Sequence, residues 1–179
     1  MSMFYETYIE LQNFFELGGF VLFAIFFLAL ILWTLILERY LFLWVTYPKV
    51  SRETVAAWDA RADKESWFAH RIRRARISQV RQRLYRSLST IRTLIALCPF
   101  LGILGTVTGM IYVFDVMAIT GTGNARGMAA GISRATLPTM AGLVAALSGL
   151  YFSSRLEQHA SKQTQLLTDS LIIHEEPEV

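Results

Sequence analysis

Three long apolar runs, set apart by polar segments, constrain this chain more than any other feature. The first extends from Leu17 to Val45 and is almost continuous up to Glu38-Arg39, the second covers Thr93 to Ile119, and the third Ala129 to Ser154. A helix needs about 20 apolar residues to cross the hydrocarbon core of a bilayer, so each run is long enough for one crossing once tilt is allowed for. With 54% hydrophobic and only 17% charged residues in 179, the composition is too apolar for an ordinary soluble domain. The expected fold is therefore all-α, an integral membrane protein with three transmembrane helices.

Charge fixes the direction of the crossings. Residues 46–92 carry twelve basic side chains (Lys49, Arg52, Arg61, Lys64, Arg71, Arg73, Arg74, Arg76, Arg81, Arg83, Arg86 and Arg92) against four acids, which predicts a cytoplasmic loop. Residues 1–16 have no basic residue and the connection 120–128 has only Arg126, so both are expected outside. Glu6, Glu10 and Glu16, with no lysine or arginine before them, argue against a cleavable signal peptide. The layout is an outer segment 1–16, spans 17–45, 93–119 and 129–154, a basic loop 46–92, an outer connection 120–128 and a cytoplasmic tail 155–179. The loop has no Pro or Gly after Pro48, which predicts helices that project into the cytoplasm and run on into the second span. Residues 157–171 extend the third span, and "HEEPEV" reads as a frayed end.

The run "RIRRARISQVRQR" has the charge of a nucleic-acid patch. It lacks interleaved aromatics and lies between membrane spans, so anionic lipid headgroups are its expected partner and nucleic acid is not. Cys98 is the single cysteine and reads as a small buried hydrophobe. His70, His159 and His174 have no ligand spacing, so no metal or cofactor is expected.

The spans differ in kind. Large residues surround the first, as suits an outer, lipid-facing helix. In the third, Thr139, Gly142, Ala146 and Gly149 follow one helical stripe, and Met140, Val144, Leu147 and Tyr151 another. In the second, Gly102, Thr106, Gly109 and Val113 form a similar stripe, and Gly105-x-x-x-Gly109 permits close helix approach. Thr106 and Thr139 lie about 20 Å and 24 Å above the cytosolic boundary at 1.5 Å per residue, on neighbouring antiparallel helices. They form either a polar belt at one depth or two hydroxyls each bonded to its own helix. Pro138 frees a backbone carbonyl near Arg134. Glu38 and Arg39 sit at the cytosolic end of the first span, where an ion pair or snorkelling accommodates them, and Asp115 lies one turn from the outer end of the second. No span carries a lone acid at mid-depth.

"CPFLGILGTVTGM" and "GISRATLPTMAGLVAALSGLYF" resemble the second- and third-span motifs of the MotA/TolQ/ExbB proton-channel family, and the likeness over residues 80–170 is to a short ExbB-like subunit. The resemblance implies a ring, typically of five copies, in an inner bacterial membrane with the N-terminus periplasmic. Such a ring encloses the single spans of an ExbD-like partner bearing an intramembrane aspartate, and delivers work to a TonB-like protein for outer-membrane import. It further implies that Thr106 and Thr139 face the proton path, that Gly102, Gly105, Gly109, Gly142, Ala146 and Gly149 pack the helices at the pore, and that the subunit is not an enzyme and has no catalytic residue. A TolQ-like role in the cell envelope, or a scaffold that conducts nothing, is the alternative. One position departs from the family pattern: Arg134 of "GISRAT" stands where a glutamate is usual. A positive ring there repels protons unless neutralised, so Arg134 is expected to pair with an acid of a neighbouring copy or partner, or to snorkel to headgroups.

Overall fold

A computed structural model of the chain describes residues 2–61, 66–121 and 124–171, with side chains from Gly18 onward except Thr120. The acids at Glu6, Glu10 and Glu16, and the "HEEPEV" end with His174, lie outside the described side chains. Five helices follow one another: α1 (Ser2–Leu41), α2 (Tyr47–Asp59), α3 (Trp67–Tyr85), α4 (Leu88–Thr120) and α5 (Ala125–Ser170), with a π-helical turn, Phe42–Thr46, between α1 and α2. Among the described residues there is no strand. Three helical stretches are long and apolar enough to cross a membrane, so the chain is an all-α, multi-pass membrane protein. At 46 residues, α5 is about 69 Å long, more than twice the hydrocarbon thickness.

Local chemistry sets the helix ends. Ser66 caps α3 by accepting the Ala69 N–H at 3.2 Å. Arg86 turns out of helical geometry, and Ser87 takes a left-handed φ of 67°, so α3 stops before α4 begins instead of running on into it. Gly121, with φ 70°, ends α4. Asn124 starts α5 by accepting the Gly127 N–H at 3.0 Å. These two caps end α4 and start α5, because capping chemistry and not apolarity decides where a helix stops or begins. Pro99 and Pro138 lie inside α4 and α5 without ending them. Neighbouring helices in a membrane re-satisfy the backbone that proline disrupts.

The chain divides into two compact units. The first comprises Met1–Thr34 and Ile91–Leu150. Here α1 is interrupted at Gly19, whose φ of 65° and ψ of −167° are not helical. Beyond this kink one face of α1 is buried through Val21, Leu22, Ile25 and Leu32, while Phe20, Phe23, Phe26, Phe27, Leu30 and Ile31 are exposed. The large residues thus occupy both faces, and only part of their surface is left for lipid.

The second unit comprises Leu35–Thr90 and Tyr151–Val179. Leu156, Ala160, Leu167 and Leu171 recur at helical spacing and are buried, as are Leu43 of the π-helical turn and Tyr47, Trp58, Ala69, Val80 and Leu84 of the loop helices. The Tyr47 hydroxyl donates to the Gln163 carbonyl at 2.9 Å. Burial pushes this phenol above its ordinary pKa, against a smaller opposite pull from Ser51, so it stays a donor. Arg73 closes the C-terminal end of α5, donating from Nε to the Leu171 carbonyl at 2.7 Å and from Nη2 to the Thr168 carbonyl at 2.8 Å. Both carbonyls lie at the C-terminal end of α5, where a cation meets the negative end of the helix dipole. Replacing Arg73 by Ala is expected to destabilise the unit by about 1.5 kcal/mol and to speed amide exchange in the last turn of α5, read by hydrogen-exchange mass spectrometry.

Candidate functional site

The small residues of α4 and α5 meet each other along an antiparallel seam within the first unit. A Cβ built on Gly142 would lie 2.6 Å from the Cys98 carbonyl oxygen, and one on Gly102 2.9 Å from the Thr139 Cα. One on Gly105 would collide with the Pro138 ring, and one on Gly109 would lie 2.5 Å from the Ala135 Cα. Farther along, Gly131 meets Val113 and Gly127 meets Val116. Gly149 faces Leu32 of α1 and Ile95 of α4, with a built Cβ at 2.9 Å and 3.0 Å from them. Lipid provides no hydrophobic drive between helices, so contact this close, made of dispersion and backbone approach, is what holds them. Ala146 is buried and Pro138 fully so.

With small residues turned inward, bulky ones point out: Ile103, Leu104, Val107, Met110, Ile111 and Phe114 on α4, and Met140, Leu143, Val144, Leu147 and Leu150 on α5. The glycines of each stripe are therefore met by helices of the same chain, α4 and α5 by each other and Gly149 also by α1.

Both threonines sit on this seam. The Thr106 hydroxyl donates to the carbonyl of Ile103 in its own helix at 2.7 Å. The Thr139 hydroxyl crosses to α4 and donates to the Gly102 carbonyl at 3.0 Å. The two hydroxyls thus use consecutive carbonyls of one turn of α4, so they stand at one level of the seam. Each is half-buried and keeps acceptor capacity after donating. Thr108 lies elsewhere on α4, exposed and bonded to the Gly105 carbonyl at 3.0 Å.

Arg134 lies where α5 passes the kink of α1. Its guanidinium carbon is 5.3 Å from the Tyr112 ring centre, a cation–π contact, and a Cβ on Gly19 would lie 2.9 Å from its Nε. Among the described side chains no carboxylate forms an ion pair with it. Gly19→Ala is strained twice over, by its positive φ and by the guanidinium. A loss of about 1–2 kcal/mol is expected, read as a lowered Tm of the detergent-purified protein.

Glu38 and Arg39 form an ion pair at 3.7 Å, but unequally: Arg39 is buried and the Glu38 side chain 57% exposed. Arg39 does not snorkel. Its Nη1 donates to the Arg83 carbonyl at 3.4 Å and its Nη2 to the Ser87 hydroxyl at 2.9 Å. Asp115 is exposed on α4.

Sequence reading missed Gly127, Gly131 and Ala135, which extend the seam outward. Their signal was present as small residues at four-residue spacing in "GMAAGISRA". It also missed the hold of Arg39 on Ser87 and Arg83, whose sequence separation leaves no local trace.

A sequence profile of the MotA/TolQ/ExbB proton channel family matches residues 47–169. Two proteins of Synechocystis sp. are similar. One, described as biopolymer transport protein ExbB-like 3, is 36% identical over 97 residues, covering 49% of this chain and 46% of that protein. The other, ExbB-like 1, is 39% identical over 97 residues, covering 52% of this chain and 32% of that protein. The matched stretch thus spans less than half the length of either relative. The profile, by contrast, takes in the basic loop, the glycine seam and both threonines, well over half of the chain, and the protein belongs to the MotA/TolQ/ExbB proton channel family.

Proposed function

We propose that this protein is the ring-forming subunit of an inner-membrane proton channel. With an ExbD-like single-span partner it converts the proton gradient into mechanical work on a TonB-like protein for outer-membrane import. The observation that carries this reading is the pairing of Thr106 and Thr139 on consecutive carbonyls of α4, in spans with no acid at mid-depth. Hydroxyls that both donate and accept can pass a proton along water to a carboxylate, and that carboxylate then comes from the partner span. Arg134 sits near the outer end of α5, where its positive charge is met by an acid of the partner or of a neighbouring copy. The basic loop lies in the cytoplasm and the N-terminus in the periplasm, in keeping with the charge asymmetry.

The test is reconstitution. The full chain, co-expressed with a single-span protein carrying an intramembrane aspartate, is placed in liposomes and proton entry is followed with a pH-sensitive dye under an imposed gradient. Flux is expected from the pair and none from the chain alone or from a pair in which the partner aspartate is replaced by asparagine. A pair that assembles but conducts nothing would instead make the chain a scaffold.

A further inference from the structure

The second unit contains a cavity of about 540 Å³ lined by Glu38, Arg39, Phe42, Arg83, Arg86 and Ser87. We propose that it binds the phosphate of an anionic phospholipid. The inference rests on the membrane placement of the chain and is independent of proton conduction.

Three arginines and one glutamate are among the six lining residues, so the lining carries an excess of positive charge. The central cation is poorly compensated. Arg39 is only 5% exposed, and its Nε has no hydrogen-bond partner. Its other nitrogens meet a hydroxyl, a long contact to a carbonyl, and the exposed Glu38 at 3.7 Å. The Phe42 ring lies 5.4 Å from its guanidinium carbon. Burying a cation is costly unless an anion with good geometry balances it, and Glu38, distant and solvated, does that weakly. A phosphate presents several acceptor oxygens to a fork of guanidinium donors, which is the geometry arginine matches best.

The surroundings indicate where that phosphate comes from. Leu37, Leu41, Trp44 and Val45 flank Arg39 in sequence and are all exposed, whereas Arg83 and Arg86 belong to the basic loop. The cavity therefore lies at the boundary between an apolar surface and a charged one, the level of lipid headgroups, where tryptophan is also favoured. An anion delivered from a bilayer arrives at this depth already tethered. The Ser87 turn, the Arg83 carbonyl and Arg39 hold the end of α3 against the end of α1, so an occupied cavity also fastens the loop helices to the span.

The experiment titrates the full chain, purified in mild detergent with any partner that accompanies it, with short-chain phosphatidylglycerol, short-chain phosphatidylcholine or inorganic phosphate. Bound lipid is read by native mass spectrometry and stability by Tm. Saturable binding of phosphatidylglycerol, weaker binding of the zwitterionic lipid and a raised Tm are expected. Arg83→Gln and Arg86→Gln, both at exposed positions, should each weaken phosphatidylglycerol binding about fivefold or more, while Arg74→Gln, outside the cavity, leaves it unchanged. Glu38→Gln removes the competing carboxylate and should tighten binding severalfold, which a purely structural arginine cluster would not produce. Displacement of the lipid by equimolar inorganic phosphate would overturn the lipid source and reassign the site to a free anion. Equal effects of both lipids, or equal losses in Arg74→Gln and Arg86→Gln, would overturn the site altogether.

Discussion

Gly109→Val is expected to unseat α5 from α4 and leave little folded protein. The first atom of the new side chain would fall 2.5 Å from the Ala135 Cα and 2.6 Å from its backbone nitrogen. Backbone atoms cannot swing aside as a flexible side chain can, so relief requires the two helices to separate. Separation loosens the contacts on either side of the site as well, where Gly105 meets Pro138 and Gly131 meets Val113. Overpacking a well-filled interior costs about 1–3 kcal/mol, and more where the obstacle is rigid. Met110→Ala changes an exposed neighbour on the same turn and is expected to be nearly neutral. The comparison is made by monodispersity on size exclusion and by Tm in detergent. A Gly109→Val protein with the Tm of the parent would show that the seam does not hold these helices together.

The reason such a seam was partly legible in the sequence is that small residues in apolar helices have few other uses. "GILGTVTGM" announced a close approach on α4, and Thr139, Gly142, Ala146 and Gly149 did so on α5. What a stripe cannot state is its partner. A face of glycines fits a helix of the same chain, of a neighbouring copy or of a bound subunit equally well, and choosing among them requires the register. The structure supplies it by setting Cys98 at Gly142 and Gly109 at Ala135, which commits the stripe to contact within the chain.

Arg39 and Gly19 were illegible for different reasons. The partners of Arg39, Arg83 and Ser87, lie 44 and 48 residues away, and nothing in a local window marks a serine that will adopt a positive φ. Gly18-Gly19 at the start of an apolar run reads equally well as helix or as hinge. The kink becomes apparent only with the Arg134 side chain lying where a Cβ would otherwise stand. The three spans themselves were fully readable, because a run of 20 or more apolar residues has one cheap arrangement in lipid. The caps at Ser87, Gly121 and Asn124 were not legible in the same way, since they act through backbone angles and single hydrogen bonds, which hydropathy does not register.

The two threonines should separate experimentally, because they use their hydroxyls differently. Valine preserves the shape of threonine and removes only the hydroxyl. In Thr106→Val the lost bond is to Ile103 of the same helix, so folding and Tm should be unchanged while proton flux through the reconstituted pair falls about tenfold or more, the scale of losing one positioned proton-transfer group. In Thr139→Val the lost bond ties α5 to the Gly102 carbonyl. Bonds between membrane helices contribute about 0.6 kcal/mol on average, so a small drop in Tm should accompany the loss of flux. Thr139→Ser restores the hydroxyl and should recover both. The double variant Thr106→Val/Thr139→Val removes every hydroxyl at this level of the seam and is expected to abolish proton-coupled uptake while the chain still inserts and binds its partner. Uptake that survived intact in the double variant would remove both residues from the proton path and leave Thr139 with a packing role alone.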